Sequence, residues 1–449
     1  MKSILPIIGL LALAGCTPAA PIASATATTP SPSAEAQRVA ERLDAYFTPL
    51  ADAGDFSGAI RVRLEDGSIV TRHYGYADIA SKTQHGAGTR YGLGSVTKSV
   101  TAVTLLGLAS EGVVDLDAPM ANHFPAFAGR SQATVRDVLL HRAGLPRDFP
   151  ADHDPVATPA SAWLVADPQR LGPVGKRAYS NVGYALIAEA IEAVSGQSYA
   201  EAAKRIALDP AGLLDAEISP RAQDAARAAT PYMVGPSAQV ALAPPLQAPE
   251  VGGSGLVATL DDLARWADFL ASGAHPQLFE GERALGSINL REDGEGARLS
   301  LQGTLPGYGA NAMVWTGDRR AIAFAGNLFG LPMMDMEQRL VAVIGEGPLP
   351  DPRPSPAVVD PGDAHRSLIG RYAHSSYGAI TIAEEKGCTC LMLTLVDLGD
   401  AFTFYLGPLG DGALHARATD DLIWRADDGQ VMTAPRSDRG SATPLTPLS

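Results

Sequence analysis

The spacing of apolar residues along the chain predicts a mixed α/β fold. Apolar side chains recur at helical spacing between residues 35 and 48. Alternating apolar residues then run into and out of a Glu-Asp-Gly turn at residues 65–67, which predicts a β-hairpin. Strand patterns return at residues 298–304, 310–315 and 321–326. We therefore expect one antiparallel sheet that is completed by strands from two distant parts of the chain.

The segments between these two groups of strands are predicted to be mainly helical. Two glycines at Gly92 and Gly94 precede an apolar run to residue 109, which indicates a buried helix. Residues 115–250 have a mostly helical pattern with proline-rich loops, and a further helix is predicted at residues 260–270. We interpret residues 35–346 as an α/β (α+β) domain, in which helices flank the antiparallel sheet and form an inserted helical lobe.

The pattern changes after a proline-rich stretch, which we take as a linker at residues 347–363. Short apolar strands separated by turns then follow between residues 379 and 425. This predicts a small all-β sandwich or barrel in residues 364–449. No catalytic grouping is evident there, so we interpret this region as an accessory domain.

The first residues have the pattern of an export signal. Lys2 precedes an apolar core at residues 4–13, and Leu-Ala-Gly then leads to Cys16. This resembles a bacterial lipoprotein signal, in which residues 1–15 are removed and Cys16 carries lipid. The alternative is an ordinary secretory signal with a chance cysteine. Residues 16–34 are mostly Ala, Pro, Ser and Thr, which predicts a disordered tether. We expect a periplasmic lipoprotein, anchored in the outer membrane.

Composition narrows the possible partners. The net charge is −14 and the chain has no basic cluster, which argues against nucleic acid and against electrostatic docking to anionic lipid. Beyond Cys16, the remaining cysteines are Cys388 and Cys390, which are close enough to form a local disulfide. The histidines do not form a metal-binding motif. We expect neither a metal nor a cofactor, and the sequence leaves the oligomeric state open.

Ser95 and Lys98 are the first candidates for catalysis. Ser95 stands at the predicted start of the helix, and Lys98 lies one turn further along the same face. A serine hydroxyl becomes a good nucleophile when a neighbouring base takes its proton, and an amine can be that base. The helix start also supplies free backbone N–H groups, which favour developing negative charge. The alternative is an N-cap serine beside a solvated lysine.

Two further stretches add candidates. Tyr179 and Asn181 precede a helix and, two residues apart, can face the same way; a phenol near a lysine can exchange the serine proton. An amide such as Asn181 can hold the substrate and the lysine. Gly303 and Thr304 end a strand, where a backbone N–H could complete an oxyanion hole with that of Ser95. The alternatives are a helix start, with Asn181 as its cap and Tyr179 as a packing residue, and an edge strand with a turn.

In this order, the motifs resemble those of the class C β-lactamase and penicillin-recognising serine hydrolase family. Ser-Val-Thr-Lys at residues 95–98 and Tyr-Ser-Asn at 179–181 resemble its first two motifs, and the similarity covers roughly residues 56–327. Further similar segments are residues 134–145, 255–264 and 305–308. The resemblance implies an antiparallel sheet with flanking helices, an inserted helical lobe, and an active site between them.

The third motif departs from the family pattern. The family has Lys or His, then any residue, then Gly, whereas this chain has Leu301, Gln302 and Gly303. A cation there would attract a substrate carboxylate, and leucine cannot. Arg298 lies three residues earlier, so on a regular strand it points to the opposite face and could substitute only through a bulge. We therefore expect neutral substrates to be preferred over β-lactams.

The predicted function is that of a serine hydrolase acting through an acyl-enzyme. Ser95 would attack a carbonyl, Lys98 and Tyr179 would move the protons, and Asn181, Gly303 and Thr304 would bind the substrate. The expected substrates are carboxylic esters or D-amino-acid peptides and amides, with β-lactams third. The alternative is a catalytically weak envelope protein that keeps the fold as a binding module, which Leu301 favours.

Overall fold

The computed structural model describes most of the 449 residues. The described residues are 32–124, 132–150, 153–154, 157–234, 240–243, 251–281, 283–293, 296–329, 333–352, 360–374, 378–385, 390–397, 400–416, 421–436 and 438–448. The predicted signal, Cys16 and nearly all of the predicted tether lie outside this set, as do Cys388 and part of the predicted linker. These predictions therefore stay untested.

Ten α-helices are assigned within the described ranges. They are α1 (Ala34–Asp52), α2 (Thr97–Ser110), α3 (Val135–Leu139), α4 (Ala160–Ala166), α5 (Asn181–Ser195), α6 (Tyr199–Ala203), α7 (Val251–Ser254), α8 (Leu260–Ala271), α9 (Met333–Ile344) and α10 (Asp363–Arg366). Within this set, no helix has the length and apolar character needed to cross a membrane.

The strands before the C-terminal region come in two groups along the chain. The first group is β1 (Gly58–Arg63), β2 (Ile69–Tyr74), β3 (Tyr76–Asp78), β4 (Thr83–Gln84) and β5 (Arg90–Gly92). The second is β6 (Glu217–Ile218), β7 (Tyr232–Val234), β8 (Val240–Leu242), β9 (Leu256–Thr259), β10 (Asn289–Asp293), β11 (Gly296–Leu305), β12 (Tyr308–Trp315), β13 (Ala321–Gly326) and β14 (Leu328–Phe329).

A six-stranded antiparallel sheet forms the centre of this region, in the order β10-β11-β12-β13-β1-β2. The early strand β1 pairs with the late strand β13, so that Gly58 lies opposite Gly326. The sheet is therefore completed from the two distant parts of the chain, as predicted. The strands β10 and β6–β8 were not predicted.

Helices cover both faces of the central sheet. On one face, α1 and α9 pack against a cluster that includes Ile60, Met313 and Phe324. On the other face, α8 packs over β12, β13 and β1, and its Trp266 is fully buried. The helix α2 lies on this second side and contacts α5 and α7, so the second core continues into the helical lobe. The predicted antiparallel sheet with flanking helices is confirmed.

The C-terminal region is a closed eight-stranded antiparallel barrel, one of the two forms predicted. Its strands are β15 (Gly370–His374), β16 (Gly378–Glu384), β17 (Leu391–Asp397), β18 (Asp400–Pro408), β19 (Leu414–Ala416), β20 (Asp421–Arg425), β21 (Val431–Pro435) and β22 (Thr443–Pro447). A core of aliphatic side chains and Tyr372 fills it. Cys390 is disulfide-bonded.

Candidate active site

Ser95 lies on a tight turn that leads directly into α2. The turn is a short 3₁₀ segment, Gly94–Val96, and α2 continues from Thr97. Gly94 has a φ of 51°, a left-handed conformation that glycine adopts without strain. The hydroxyl of Thr97 accepts from the Leu256 N–H and donates to the Gly94 carbonyl, which ties the turn to β9. The predicted position of Ser95 at a helix start is confirmed.

The structure brings Ser95, Lys98 and Tyr179 together. The Ser95 Oγ lies 2.6 Å from the Tyr179 Oη and 3.1 Å from the Lys98 Nζ. These distances allow a proton to pass directly between the hydroxyl and either neighbour. Ser95 and Tyr179 remain half-buried, whereas Lys98 is fully buried. The hydroxyl is therefore positioned as a nucleophile with two proton carriers in reach.

Lys98 is held in place by a backbone carbonyl and two aromatic rings. Its Nζ donates to the carbonyl oxygen of Gly253, at 2.9 Å. The same nitrogen lies 4.9 Å from the centre of the Tyr179 ring and 5.5 Å from that of Tyr184. Together with the Ser95 hydroxyl, these contacts fix the position of the Lys98 amine. Gly253 was not singled out in the sequence, although it precedes the similar segment at residues 255–264.

Tyr179 is positioned by His141. The two rings stack with centroids 4.5 Å apart, and the Ser180 N–H donates to the His141 Nδ1 at 3.1 Å. The His141 Nε2 lies 3.1 Å from the Ser287 hydroxyl. Burial, followed by the nearby charge of Lys98, lowers the pKa of His141 to about 3. The ring is thus neutral at pH 7, and it carries its proton on Nε2, because Nδ1 accepts a hydrogen bond.

Asn181 begins the helix that follows Tyr179, and Asp148 holds its side chain. It is the first residue of α5, and its side-chain N–H donates to the Asp148 carboxylate at 2.5 Å. The helix is capped instead by Ser180, whose hydroxyl accepts from the Gly183 N–H. The Asn181 Oδ1 is buried without a hydrogen-bond partner among the described residues. Its role in binding the substrate or Lys98 stays a prediction.

The end of β11 lies directly against the Ser95 turn. A Cβ placed on Gly94 would be 2.5 Å from the carbonyl oxygen of Thr304 and 2.7 Å from its amide nitrogen. A Cβ on Gly303 would be 2.0 Å from the Leu93 oxygen and 2.8 Å from the Ser95 nitrogen. Glycine is required at both positions for this approach. The backbone of Thr304 thus lies directly against the turn that carries Ser95, and its role in an oxyanion hole stays a prediction.

The third motif carries no cation. Leu301 is buried in the core of the domain, and Gln302 donates to the Glu337 carboxylate at 3.2 Å. Arg298 pairs with the same carboxylate at 2.8 Å, and its guanidinium lies over the Trp315 ring. The β11–β12 register is continuous and has no bulge. Arg298 therefore points to the opposite face, as predicted, and does not replace the missing cation.

Two adjoining cavities open beside Ser95 and Tyr179. The smaller, about 250 Å³, is also lined by Gln302, Gly303, Thr304, Ala310 and Asn311. The larger, about 640 Å³, is lined by polar residues that include His141, Arg177, Arg283 and Ser287, and by apolar residues from α3 and the segment before β10. Sequence reasoning missed Arg177, although it stands two residues before Tyr179, and it missed Arg283, which no local pattern marks.

Sequence comparisons with known proteins identify a matching family and related proteins. A sequence model of the beta-lactamase family matches residues 43–345. Protein flp from Staphylococcus aureus (strain COL) is 22% identical over 240 residues, which are 51% of this chain and 48% of that protein. The chain therefore spans about half the length of the curated relatives that it matches first.

Solved structures with the same fold include a penicillin-binding protein homologue and a D-amino acid amidase. The octameric penicillin-binding protein homologue from Pyrococcus abyssi has a TM-score of 0.57 and 19% identity, with 92% of this chain and 99% of that chain covered. The D-amino acid amidase from Ochrobactrum anthropi SV3 has a TM-score of 0.54 and 23% identity, with 66% and 91% covered. At these identities the likeness shows the fold alone.

Proposed function

Because the chain belongs to the beta-lactamase family of serine hydrolases, we propose that it cleaves carboxylic esters, or D-amino-acid peptides and amides, through an acyl-enzyme. The observation that carries this proposal is the hydrogen-bonded set at α2, in which the Ser95 Oγ lies 2.6 Å from the Tyr179 Oη and 3.1 Å from the Lys98 Nζ. A serine that serves only as a helix cap needs neither partner.

The proposed reaction has two halves. The Ser95 oxygen attacks the substrate carbonyl while its proton moves to Tyr179 or Lys98. The backbone N–H groups of Ser95 and Thr304 stabilise the negative oxygen of the tetrahedral intermediate. When the bond to the leaving group breaks, the leaving group takes up that proton. A water molecule then attacks the acyl-enzyme by the same route and releases the free acid and Ser95.

Two observations bear on the substrate class. A D-amino acid amidase is among the proteins with the same fold, which supports D-amino-acid amides as candidates. The third motif has a buried leucine at the position where the family pattern has a cation, which supports our ranking of β-lactams behind esters and amides.

Labelling with a fluorophosphonate probe tests the nucleophile. We expect mass spectrometry to locate the adduct on Ser95, and expect the Ser95→Ala protein, with unchanged circular dichroism, to remain unlabelled. Lys98→Ala and Tyr179→Phe should slow labelling by at least about a hundredfold, since each removes a proton carrier. A folded wild-type protein that neither takes the label nor hydrolyses p-nitrophenyl esters would instead support the binding-module alternative.

A further inference from the structure

Among its described lining residues, the larger cavity has two arginines that the proposed reaction does not use. Arg177 and Arg283 both line it, and the described lining residues include no carboxylate. The whole chain, by contrast, has a net charge of −14. Within the described part of the chain, neither guanidinium has an ion-pair or hydrogen-bond partner, and both side chains are exposed. Most other arginines along the domain are paired with Asp or Glu.

The two arginines come from separate elements. Arg177 lies in the loop that leads to Tyr179, close enough to His141 for its charge to help lower the pKa of that ring. Arg283 belongs to the segment between α8 and β10. Two guanidinium groups that reach one cavity from different elements can hold an oxyanion between them, because each offers a planar set of N–H donors.

We propose that this cavity binds a carboxylate on the substrate, with Arg177 and Arg283 as its ligands. The inference rests on the proposed hydrolase function and specifies its substrate class as acidic esters or amides. The carboxylate belongs to whichever part of the substrate, acyl or leaving group, occupies the larger cavity. This reverses the preference for neutral substrates that the sequence predicts from Leu301, since the cations come from outside the third motif.

Matched pairs of esters test the proposal, because the two members of a pair have nearly the same shape and differ in charge, and each enzymatic rate is taken after subtraction of the uncatalysed rate of the same ester. On the leaving-group side these are para-acetoxybenzoate and para-acetoxybenzamide; on the acyl side they are the p-nitrophenyl esters of glutaric half-acid and glutaramic acid. The measurement is the ratio of kcat/KM for the acid to that for its neutral partner. We expect a ratio of about ten or more in at least one pair. The difference should come mainly from a lower KM for the acid.

Arginine variants test whether Arg177 and Arg283 cause the preference for the acidic ester. Arg177→Ala and Arg283→Ala should each reduce the preferred ratio by about tenfold, and Arg177→Lys should restore part of it. Arg291→Ala is the matched control, since Arg291 is exposed on β10 next to lining residues but does not itself line the cavity. Raising the salt to about 0.5 M should also lower the wild-type ratio.

The outcomes separate this proposal from the one it rests on. If the probe labels Ser95 but neither pair shows a ratio that depends on Arg177 or Arg283, the carboxylate site is wrong and the hydrolase proposal stands. An equal loss of the ratio in Arg291→Ala would also overturn the site, because general charge would then account for it. If Ser95 is never labelled, the hydrolase proposal itself fails.

Discussion

Leu301, which stands where the family pattern has Lys or His, is a core residue in this protein. Its side chain is 1% exposed and belongs to the cluster between the central sheet and the helices α2 and α8. The neighbouring Gln302 and Arg298 lie on the opposite face and meet at Glu337. Leu301 therefore packs in the core on one face of β11, and Gln302 and Arg298 bind Glu337 on the other face.

Leu301→Lys should consequently destabilise the protein instead of improving its affinity for acids. Placing an ammonium among aliphatic side chains costs several kcal/mol, whereas Leu301→Met, which conserves volume, should cost less than about 1.5 kcal/mol. Urea unfolding of the three proteins measures both effects. A Leu301→Lys protein with wild-type stability and higher activity on acidic esters would show that the lysine reaches the cavity.

His141 and His85 should make stability depend on pH. Burial, as the main cause, lowers the pKa of each ring to about 3. The unfolded chain takes up protons near pH 6.5 whereas the folded chain does not, so stability is complete above that pH and falls as the pH drops toward 3. Each ring should lower the free energy of unfolding by about 1.4 kcal/mol at pH 5.5.

The measurement is the free energy of unfolding at pH 7.5 and 5.5 for the wild type and for His85→Gln. His85 is held by Ser57 and Tyr91 and lies outside both cavities, so the variant leaves the catalytic residues intact. The variant should lose about 1.4 kcal/mol less than the wild type over this interval. Equal losses would mean that His85 titrates normally in the folded state.

At the scale of elements, the contact between the Ser95 turn and β11 makes Gly303 critical. A methyl group there would meet the Leu93 carbonyl at 2.0 Å, so the strand must move away from the turn. Gly303→Ala should therefore lower kcat by about a hundredfold through loss of the Thr304 N–H, and destabilise the fold by about 1–3 kcal/mol. Gly347→Ala is the control, because a Cβ there meets nothing within 4 Å. Unchanged kcat in Gly303→Ala would contradict this account of the oxyanion hole.

The elements also show what sequence patterns can and cannot reveal. The Ser95–Lys98 pair was found because both residues sit on one helical turn, and β11–β13 because they alternate or form long apolar runs. The strands β6–β8 were missed because each is only two or three residues long. The bond from Asn181 to Asp148 and the ring stack of His141 on Tyr179 join residues more than thirty positions apart. No local spacing encodes such contacts.

At the scale of the whole molecule, we propose that the protein is held at a membrane by lipid on Cys16. The Leu-Ala-Gly-Cys ending of the apolar run supports this, as does the composition of residues 17–31. Cys16→Ser should move the protein from the membrane fraction to the soluble fraction, while ester hydrolysis per mole is unchanged. A wild-type protein that fractionates as soluble and carries no lipid would show that the signal is of the ordinary secretory kind.

The pairing of β1 with β13 also determines when the central sheet can be completed during synthesis. On one side β1 pairs with the nearby β2, but on the other side Gly58 pairs with Gly326, and the Ser95 turn meets β11 only after residue 303 has been made. Contacts so distant along the chain form late and slowly, because a long loop must close first. A chain still emerging from the ribosome thus contains Ser95 but lacks both the complete sheet and the β11 backbone that lies against its turn. We therefore expect hydrolysis only once the last strands of the domain have docked.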